Sequence, residues 1–141
     1  MYTYEYPRPM VTVDMVVIRK QNDHTEVLLI ERGNEPFKNH WALPGGFIEM
    51  EETIEASAYR ELQEETSITE VELRVLKTYG DPGRDPRGRT VSIVFGGILK
   101  SKQKAIAGDD AAKAAWFSIN ELPELAFDHG LIVRESLSLL L

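Results

Sequence analysis

The sequence predicts an α/β fold in which a mixed sheet is sandwiched between helices. Two observations carry this prediction. Alternating, β-branched segments stand before and after one long stretch without proline or glycine, and a second helical stretch closes the chain. The 141 residues contain no low-complexity tract, repeat or linker. We therefore expect a single domain over residues 1–141.

The first part of the chain is predicted to form a hairpin, a loop and a short strand. Residues 11–18 alternate and are rich in β-branched side chains, and residues 26–30 are the predicted partner strand across a polar turn at 21–24. Residues 33–40 contain Pro36 and form a loop. Residues 41–43 form a short strand that leads into a turn at Gly45 and Gly46.

A helix is predicted over residues 54–66. This stretch lacks proline and glycine and is rich in strong helix formers, and Thr53 is a suitable N-cap. At roughly 100° per residue, Ile54, Ala58 and Leu62 form one inward stripe. Strands are then predicted at 71–79, 90–100 and 112–117, followed by a helix at 131–141.

Acidic residues crowd the helix beside this stripe. Glu61 and Glu65 are one turn apart and project toward the interior, where two carboxylates repel each other and need a positive partner. A divalent cation would supply that partner. The alternative is a solvated acidic face, but Glu52, Ala56 and Gln63 are placed to hold the solvent side.

A second informative segment is the loop at residues 80–90, which has two prolines and three glycines. It carries three arginines within six residues, and guanidinium groups match phosphate oxygens. The alternative is a hairpin loop whose arginines pair with Asp81, Asp85 or solvent.

Composition excludes several function classes. Hydrophobic residues make up 43% and charged residues 28%, as in a globular protein, and there is no cysteine for a disulfide, a thiol nucleophile or a cysteine zinc site. No secretory leader or membrane-spanning run is present, so we expect a cytoplasmic protein without membrane partners. The net charge of −7 argues against nucleic-acid binding.

The acidic helix and its lead-in resemble the Nudix signature, G-x5-E-x7-R-E-U-x-E-E-x-G-U, where U is a bulky aliphatic residue. The matching positions are Gly46, Glu52, Arg60, Glu61, Leu62, Glu64, Glu65 and Ile68. Ser67 replaces the second glycine of the signature. That glycine suits a left-handed helix end, so serine there costs about 1 kcal/mol of strain.

The resemblance implies an α/β/α Nudix fold and a Mg²⁺-dependent hydrolase, with Mn²⁺ as a possible substitute. By position in the signature, the metal ligands are Glu61, Glu64, Glu65 and the carbonyl of Gly45. Arg60 would orient the acids by reaching Glu64 one turn later, and Glu52 as well. Two residues are open as the general base, namely Glu64 and Asp110.

The loop resembles that of the ADP-ribose pyrophosphatase branch of the family, whose members cleave ADP-ribose to AMP and ribose 5-phosphate. The implied substrate-binding residues are Arg84, Arg87, Phe37 and Asp81. Phe37 could stack on adenine or pack against its own domain. His129 is expected to make a cap contact at a helix start, with contact to the substrate as the alternative. Other Nudix nucleotides, such as NADH or sugar nucleotides, need no change in the metal site.

The same loop is similar to that of Nudix-related transcriptional regulators, which carry a winged-helix domain after the Nudix domain. A non-catalytic ADP-ribose sensor is therefore the alternative to the enzyme. Relatives that cleave ADP-ribose are often dimers, so a homodimer is a possible assembly. The closing helix could supply its interface or could cap the core.

Overall fold

The computed structural model describes residues 3–108 and 111–141, which form nine elements. The strands are β1 Met10–Gln21, β2 His24–Arg32, β3 Trp41–Ala42, β4 Gly45–Phe47, β5 Arg74–Tyr79, β6 Thr90–Ile98 and β7 Ala111–Ser118. The helices are α1 Ile54–Thr66 and α2 His129–Leu140.

The strands form one seven-stranded mixed sheet. Its main path is β3-β2-β1-β6-β5, with β4 paired to β1 and β7 paired to β2. Strands β1 and β6 run parallel over nine residue pairs, while the other pairings are antiparallel. The middle of β1, residues 12–18, is buried on both faces, as expected for a central strand covered by two layers.

The two helices lie on opposite faces of the sheet. Successive β1 side chains alternate between two core clusters. Val13, Met15 and Val17 pack in the cluster that contains Leu62 of α1. Val16 and Ile18 pack in the cluster that contains Ile132 and Val133 of α2. This arrangement confirms the predicted α/β/α sandwich.

Each predicted strand and helix is present, with ends that differ from the prediction by at most three residues. Helix α1 has the expected bounds, and the Thr53 side chain accepts a hydrogen bond from the Ala56 N–H at 3.1 Å. Ile54 is 39% exposed, so the prediction that it faces inward is wrong; the buried side of the helix begins a turn later. Strand β4 was not predicted, and β5 begins three residues later than expected.

Ser67 ends α1 in the left-handed conformation that the sequence predicts, with φ of 64°. Its N–H donates to the Gln63 carbonyl at 2.9 Å, and its hydroxyl donates to the Ile106 carbonyl at 3.1 Å. Within the described part of the chain, neither helix has the length and apolarity required to span a bilayer.

Candidate active site

The glycines of β4 lie between two carboxylates. Strand β4 pairs with β1 so that Gly45 is opposite Asp14. A β-carbon on Gly45 would overlap Oδ1 of Asp14 and the Val13 carbonyl oxygen, and one on Gly46 would lie 2.6 Å from the Glu61 carboxylate. Position 45 therefore has no room for a side chain beside the β1 backbone, while a side chain at position 46 would displace the Glu61 carboxylate.

Glu65 lies deepest among the acids of α1. It is 8% exposed, and its Oε2 accepts the Gly45 N–H at 2.8 Å. Burial raises the pKa of Glu65 to about 8, and the charges of Glu61 and Asp14 add to the shift. The Gly45 hydrogen bond and Arg32 oppose the shift without cancelling it.

Arg60 connects the remaining acids of the signature. Its Nη1 donates to Glu61 at 2.9 Å and to Glu64 at 3.1 Å. Burial nevertheless raises the pKa of Glu61, with Arg60 opposing the shift. The hydrogen bond to Glu64 is the contact that the sequence predicted for Arg60.

Glu52 is bound by the same guanidinium. Nη2 of Arg60 lies 2.6 Å from Oε1 of Glu52, and the Ser57 hydroxyl donates to the same oxygen at 2.5 Å. The hydrogen bonds from Arg60 are the main reason that the pKa of Glu52 falls to about 2. Glu52 was expected on the solvent side of α1; instead its side chain is only 17% exposed and turns toward Arg60.

The carboxylates fit a divalent cation chemically. Across residues 3–108 and 111–141, no three acidic or histidine side chains already converge on one point, since Arg60 holds Glu61 and Glu64. Burial raises the pKa of Glu61 and of Glu65, and a cation bound beside them would favour their charged forms. Carboxylate oxygens are the ligands that Mg²⁺ and Mn²⁺ prefer.

Two positions of the expected metal and base set remain, Gly45 and Asp110. The N–H of Gly45 donates to Glu65, so the backbone at Gly45 lies beside the acids of α1. Asp110 lies outside the described residues. The segment before it reaches the end of α1, where the Gly108 N–H donates to the Glu65 carbonyl at 3.3 Å.

A cleft opens on the α2 side of β4. It is lined by polar, charged and aromatic residues: Thr12, Asp14, Gly45, Gly46, Phe47, Arg84, Asp85, Arg87, Ser92, Phe127 and His129.

Arg84 is fixed in the wall of this cleft. Its side chain is 7% exposed, and it forms a two-pronged pair with Asp128, with Nε and Nη2 each 2.8 Å from a carboxylate oxygen. Its Nη1 donates to the Ser92 hydroxyl at 2.7 Å. The loop places its guanidinium against a partner 44 residues away, which neither proposed reading of the loop foresaw.

Arg87 stands at the mouth of the cleft. It pairs with Asp85 at 2.7 Å, as the alternative reading of the loop expected. Its guanidinium carbon also lies 5.0 Å and 5.4 Å from the ring centres of Phe47 and Phe127. Asp81 is exposed at the start of the loop and does not line the cleft.

Phe37 packs against its own domain. Its ring centre is 4.7 Å from that of Phe127 and 5.6 Å from that of His40. Phe127 rather than Phe37 lines the cleft. Of the two readings left open for Phe37, the structure shows the packed one.

Asp14 was not identified as a candidate from the sequence, whereas substrate contact was the alternative reading for His129. Asp14 is 7% exposed and its Oδ1 lies 3.9 Å from Nε2 of His129. Burial raises the pKa of Asp14 and lowers that of His129. The expected helix-start cap contact for His129 is wrong: its Nδ1 accepts the Leu43 N–H at 3.0 Å. One signal was available, since Asp14 is the lone acid in an apolar, β-branched strand.

Comparison with known proteins gives one family and several relatives. A family model described as the NUDIX domain matches residues 8–136. An ADP-ribose pyrophosphatase of Methanocaldococcus jannaschii is 47% identical over 135 residues, which cover 92% of this chain and 74% of the relative. The ADPR responsive transcriptional repressor NtrR of Acinetobacter baylyi is 32% identical. That match covers 94% of this chain but about half, 54%, of the repressor.

A solved structure adds a bound ligand to this comparison. The NUDIX domain of Shewanella oneidensis NrtR, in complex with ADP ribose, superposes with a TM-score of 0.86 at 29% identity. The superposition covers 94% of this chain and 89% of that domain.

Proposed function

This chain belongs to the Nudix family, and on that premise we propose that it is a metal-dependent pyrophosphohydrolase that cleaves ADP-ribose to AMP and ribose 5-phosphate. The observation that carries the proposal is the half-buried Glu61 and the buried Glu65, whose carboxylates lie against Gly46 and Gly45 of the glycine strand β4. The 47% identity to an ADP-ribose pyrophosphatase supports the choice of substrate.

The proposed metal is Mg²⁺, with Mn²⁺ as an alternative. Glu61, Glu64, Glu65 and the Gly45 carbonyl would hold it. When bound, such a cation neutralises diphosphate charge and lowers the pKa of a coordinated water. Arg60, which already contacts Glu61 and Glu64, keeps their side chains oriented toward the site.

The remaining roles belong to the chain's own charged groups. Arg87 lies at the mouth of the cleft, where its guanidinium can contact the substrate diphosphate. Arg84 is largely occupied by Asp128, so it contributes positive charge to the cleft wall from a fixed position. The residue that accepts the proton of the attacking water is either Glu64 or Asp110, and Glu64 is accessible for this role because its side chain is 42% exposed.

A second candidate function is a sensor that binds ADP-ribose without cleaving it. The similarity to the repressor of A. baylyi favours this possibility. The complete set of signature acids favours the enzyme, because a sensor has no need of Glu61, Glu64 and Glu65 together. A measurement of ADP-ribose cleavage distinguishes the enzyme from the sensor.

The test is incubation of the purified protein with ADP-ribose and Mg²⁺, followed by chromatography of the products. We expect AMP and ribose 5-phosphate, loss of both on chelation, and loss of turnover in Glu65→Gln. Glu55→Gln is the matched control, because Glu55 is an exposed acid in the first turn of the same helix. Tight ADP-ribose binding without products would establish the sensor, and cleavage of NADH or GDP-mannose instead would replace the substrate.

Three properties beyond the reaction remain part of the proposal: a single-domain cytoplasmic protein, a possible homodimer, and no nucleic-acid partner. Helix α2 buries Ile132 and Val133 against the sheet but leaves Leu131 and Leu139 42% and 47% exposed. An exposed apolar edge of this kind is suited to a second copy of the chain. Light scattering of the purified protein tests the dimer.

A further inference from the structure

The floor of the cleft contains hydrogen-bonding groups that the proposed reaction does not use. Asp14 and His129 are 7% and 5% exposed, and both line the cleft. The metal-binding acids approach β4 from the α1 side, where Glu61 lies against Gly46. Asp14 and His129 instead face α2, because Asp14 shares the alternation of Val16 and Ile18.

The hydrogen bond from Leu43 fixes the tautomer of His129. Since Nδ1 accepts the Leu43 N–H, Nδ1 must carry its lone pair, and the proton of the neutral ring is on Nε2. That Nε2–H points toward the Asp14 carboxylate, but the 3.9 Å separation is too long for a hydrogen bond. The residues described in the structure give Nε2 no closer acceptor, so a buried donor remains available in the cleft.

Asp14 supplies acceptor capacity next to that donor. Its carboxylate interacts with Ser92, but an ionised carboxylate offers about four acceptor sites. The Ser92 hydroxyl is shared with Thr12 at 2.6 Å and with Arg84 at 2.7 Å. These neighbours are therefore occupied, while Asp14 and His129 retain unused hydrogen-bonding capacity.

The neighbouring acceptor of Asp14 and donor of His129 restrict which chemical groups of a ligand can bind at the floor of the cleft. A phosphate would be repelled by the Asp14 carboxylate, and the neighbouring acceptor of Asp14 and donor of His129 suit a ligand that both donates and accepts hydrogen bonds. Two neighbouring hydroxyl groups satisfy both residues, because a hydroxyl can donate to the Asp14 carboxylate and accept from the His129 imidazole.

We propose that Asp14 and His129 recognise the vicinal diol of a ribose in the substrate and thereby determine its specificity. The Asp14 carboxylate accepts from the diol, and the Nε2–H of His129 donates to it. This inference rests on the proposed function, which supplies a ribose-containing ligand. ADP-ribose carries two riboses, one in adenosine and one at the terminus, and either could place its diol here.

The experiment measures binding by calorimetry without metal, so that turnover does not intervene. The ligands are ADP-ribose, an analogue without the 2-hydroxyl on the adenosine ribose, and an analogue without the 2-hydroxyl on the terminal ribose. We expect the unsubstituted protein to bind one of the two analogues about 10- to 100-fold more weakly than ADP-ribose, the range for a hydrogen bond to a charged group. The analogue that binds more weakly identifies the ribose whose diol contacts Asp14 and His129.

In Asp14→Asn the difference in affinity between ADP-ribose and the weaker analogue should fall to less than about threefold, because a neutral amide accepts more weakly than a carboxylate. His129→Gln is the second variant and should also reduce it, which keeps the test decisive if Asp14→Asn fails to fold. Asp23→Asn is the matched control, because Asp23 lies in the exposed turn between β1 and β2. Thermal unfolding confirms that each variant is folded.

Two results would overturn the inference. One is equal binding of all three ligands by the unsubstituted protein, and the other is unchanged discrimination in both folded variants. Failure of the proposed function looks different, since the unsubstituted protein would then release no AMP from ADP-ribose in the Mg²⁺ assay, whether or not it binds ADP-ribose.

Discussion

Gly46 lies directly against Glu61, so that a β-carbon at position 46 would be 2.6 Å from the Glu61 carboxylate. The neighbouring atoms are the far end of a flexible side chain, which can move aside. We therefore predict that Gly46→Ala folds but shifts Glu61 out of the metal site. The expected result is a 10- to 100-fold loss of kcat/KM for ADP-ribose, the range for displacing a metal-orienting group. Turnover assays with Mg²⁺ and thermal unfolding measure the two effects.

Two other glycines serve as controls for this variant. A β-carbon on Gly45 would overlap the Val13 carbonyl, which belongs to the backbone and cannot move aside, so Gly45→Ala should lower the free energy of unfolding. Gly130 has open space around it at the start of α2, so Gly130→Ala should leave turnover unchanged. Full activity in Gly46→Ala would show that Glu61 is not needed where the structure places it.

Arg60 is predicted to be a positioning residue rather than a ligand. Its Nη2 contacts Glu52 and its Nη1 contacts both Glu61 and Glu64, an arrangement around one planar group that a lysine ammonium cannot reproduce. Arg60→Lys should therefore reduce kcat/KM by about 10- to 100-fold while its charge is kept. Steady-state kinetics across a Mg²⁺ titration measure this loss. Arg134→Lys is the control, because Arg134 is an exposed residue of α2. Equal kinetics in the two variants would contradict the role of Arg60.

Ser67 provides a prediction about stability. Its φ of 64° favours glycine, while its hydroxyl gains a hydrogen bond to the Ile106 carbonyl. Ser67→Gly removes the strain, worth about 1 kcal/mol, and loses the weaker exposed hydrogen bond. Ser67→Ala keeps the strain and loses the bond. Urea unfolding should rank the free energies of unfolding in the order glycine, serine, alanine, and a less stable glycine variant would show that the hydroxyl contact dominates.

The parts of the fold that sequence could predict are those with local signals. The bounds of α1 follow from Thr53 and from the absence of proline and glycine over residues 54–66, and the left-handed Ser67 follows from the spacing of the signature. Strand β4 was missed because three residues, two of them glycines, carry no alternating pattern. Its existence depends on pairing with β1, which is a tertiary contact.

The site shows the same division. Arg60 and Glu64 are one helical turn apart on α1, and their contact was predicted. The contact of Arg60 with Glu52 was also predicted. The partner of Arg84 was not predicted, because Asp128 is 44 residues away in the sequence. Leu43 and His129 are 86 residues apart, so periodicity carries no information on their hydrogen bond. Long-range partners of this kind require the topology of the sheet.

Glu65 supplies a prediction about pH. Burial raises its pKa from 4.5 to about 8, so between these values the folded, metal-free protein holds a proton that the unfolded chain has released. Because the folded state then binds one more proton at Glu65, the contribution of Glu65 to the free energy of unfolding falls as pH rises from 4.5 to about 8. This sign is opposite to that of an ordinary ion-paired carboxylate, and the expected decrease is a few kcal/mol.

Metal should reverse that trend, because a divalent cation binds the deprotonated carboxylate and is favoured as pH rises. We predict that Mg²⁺ raises the thermal unfolding temperature more at pH 8 than at pH 6. In Glu65→Gln, which cannot ionise, both the decline in the metal-free protein and the pH dependence of the Mg²⁺ effect should be largely lost. Thermal unfolding at four pH values, with Mg²⁺ or with chelator, measures all of these quantities, and Glu55→Gln should behave like the unsubstituted protein. A Mg²⁺ effect that is equal at both pH values would place the cation away from Glu65.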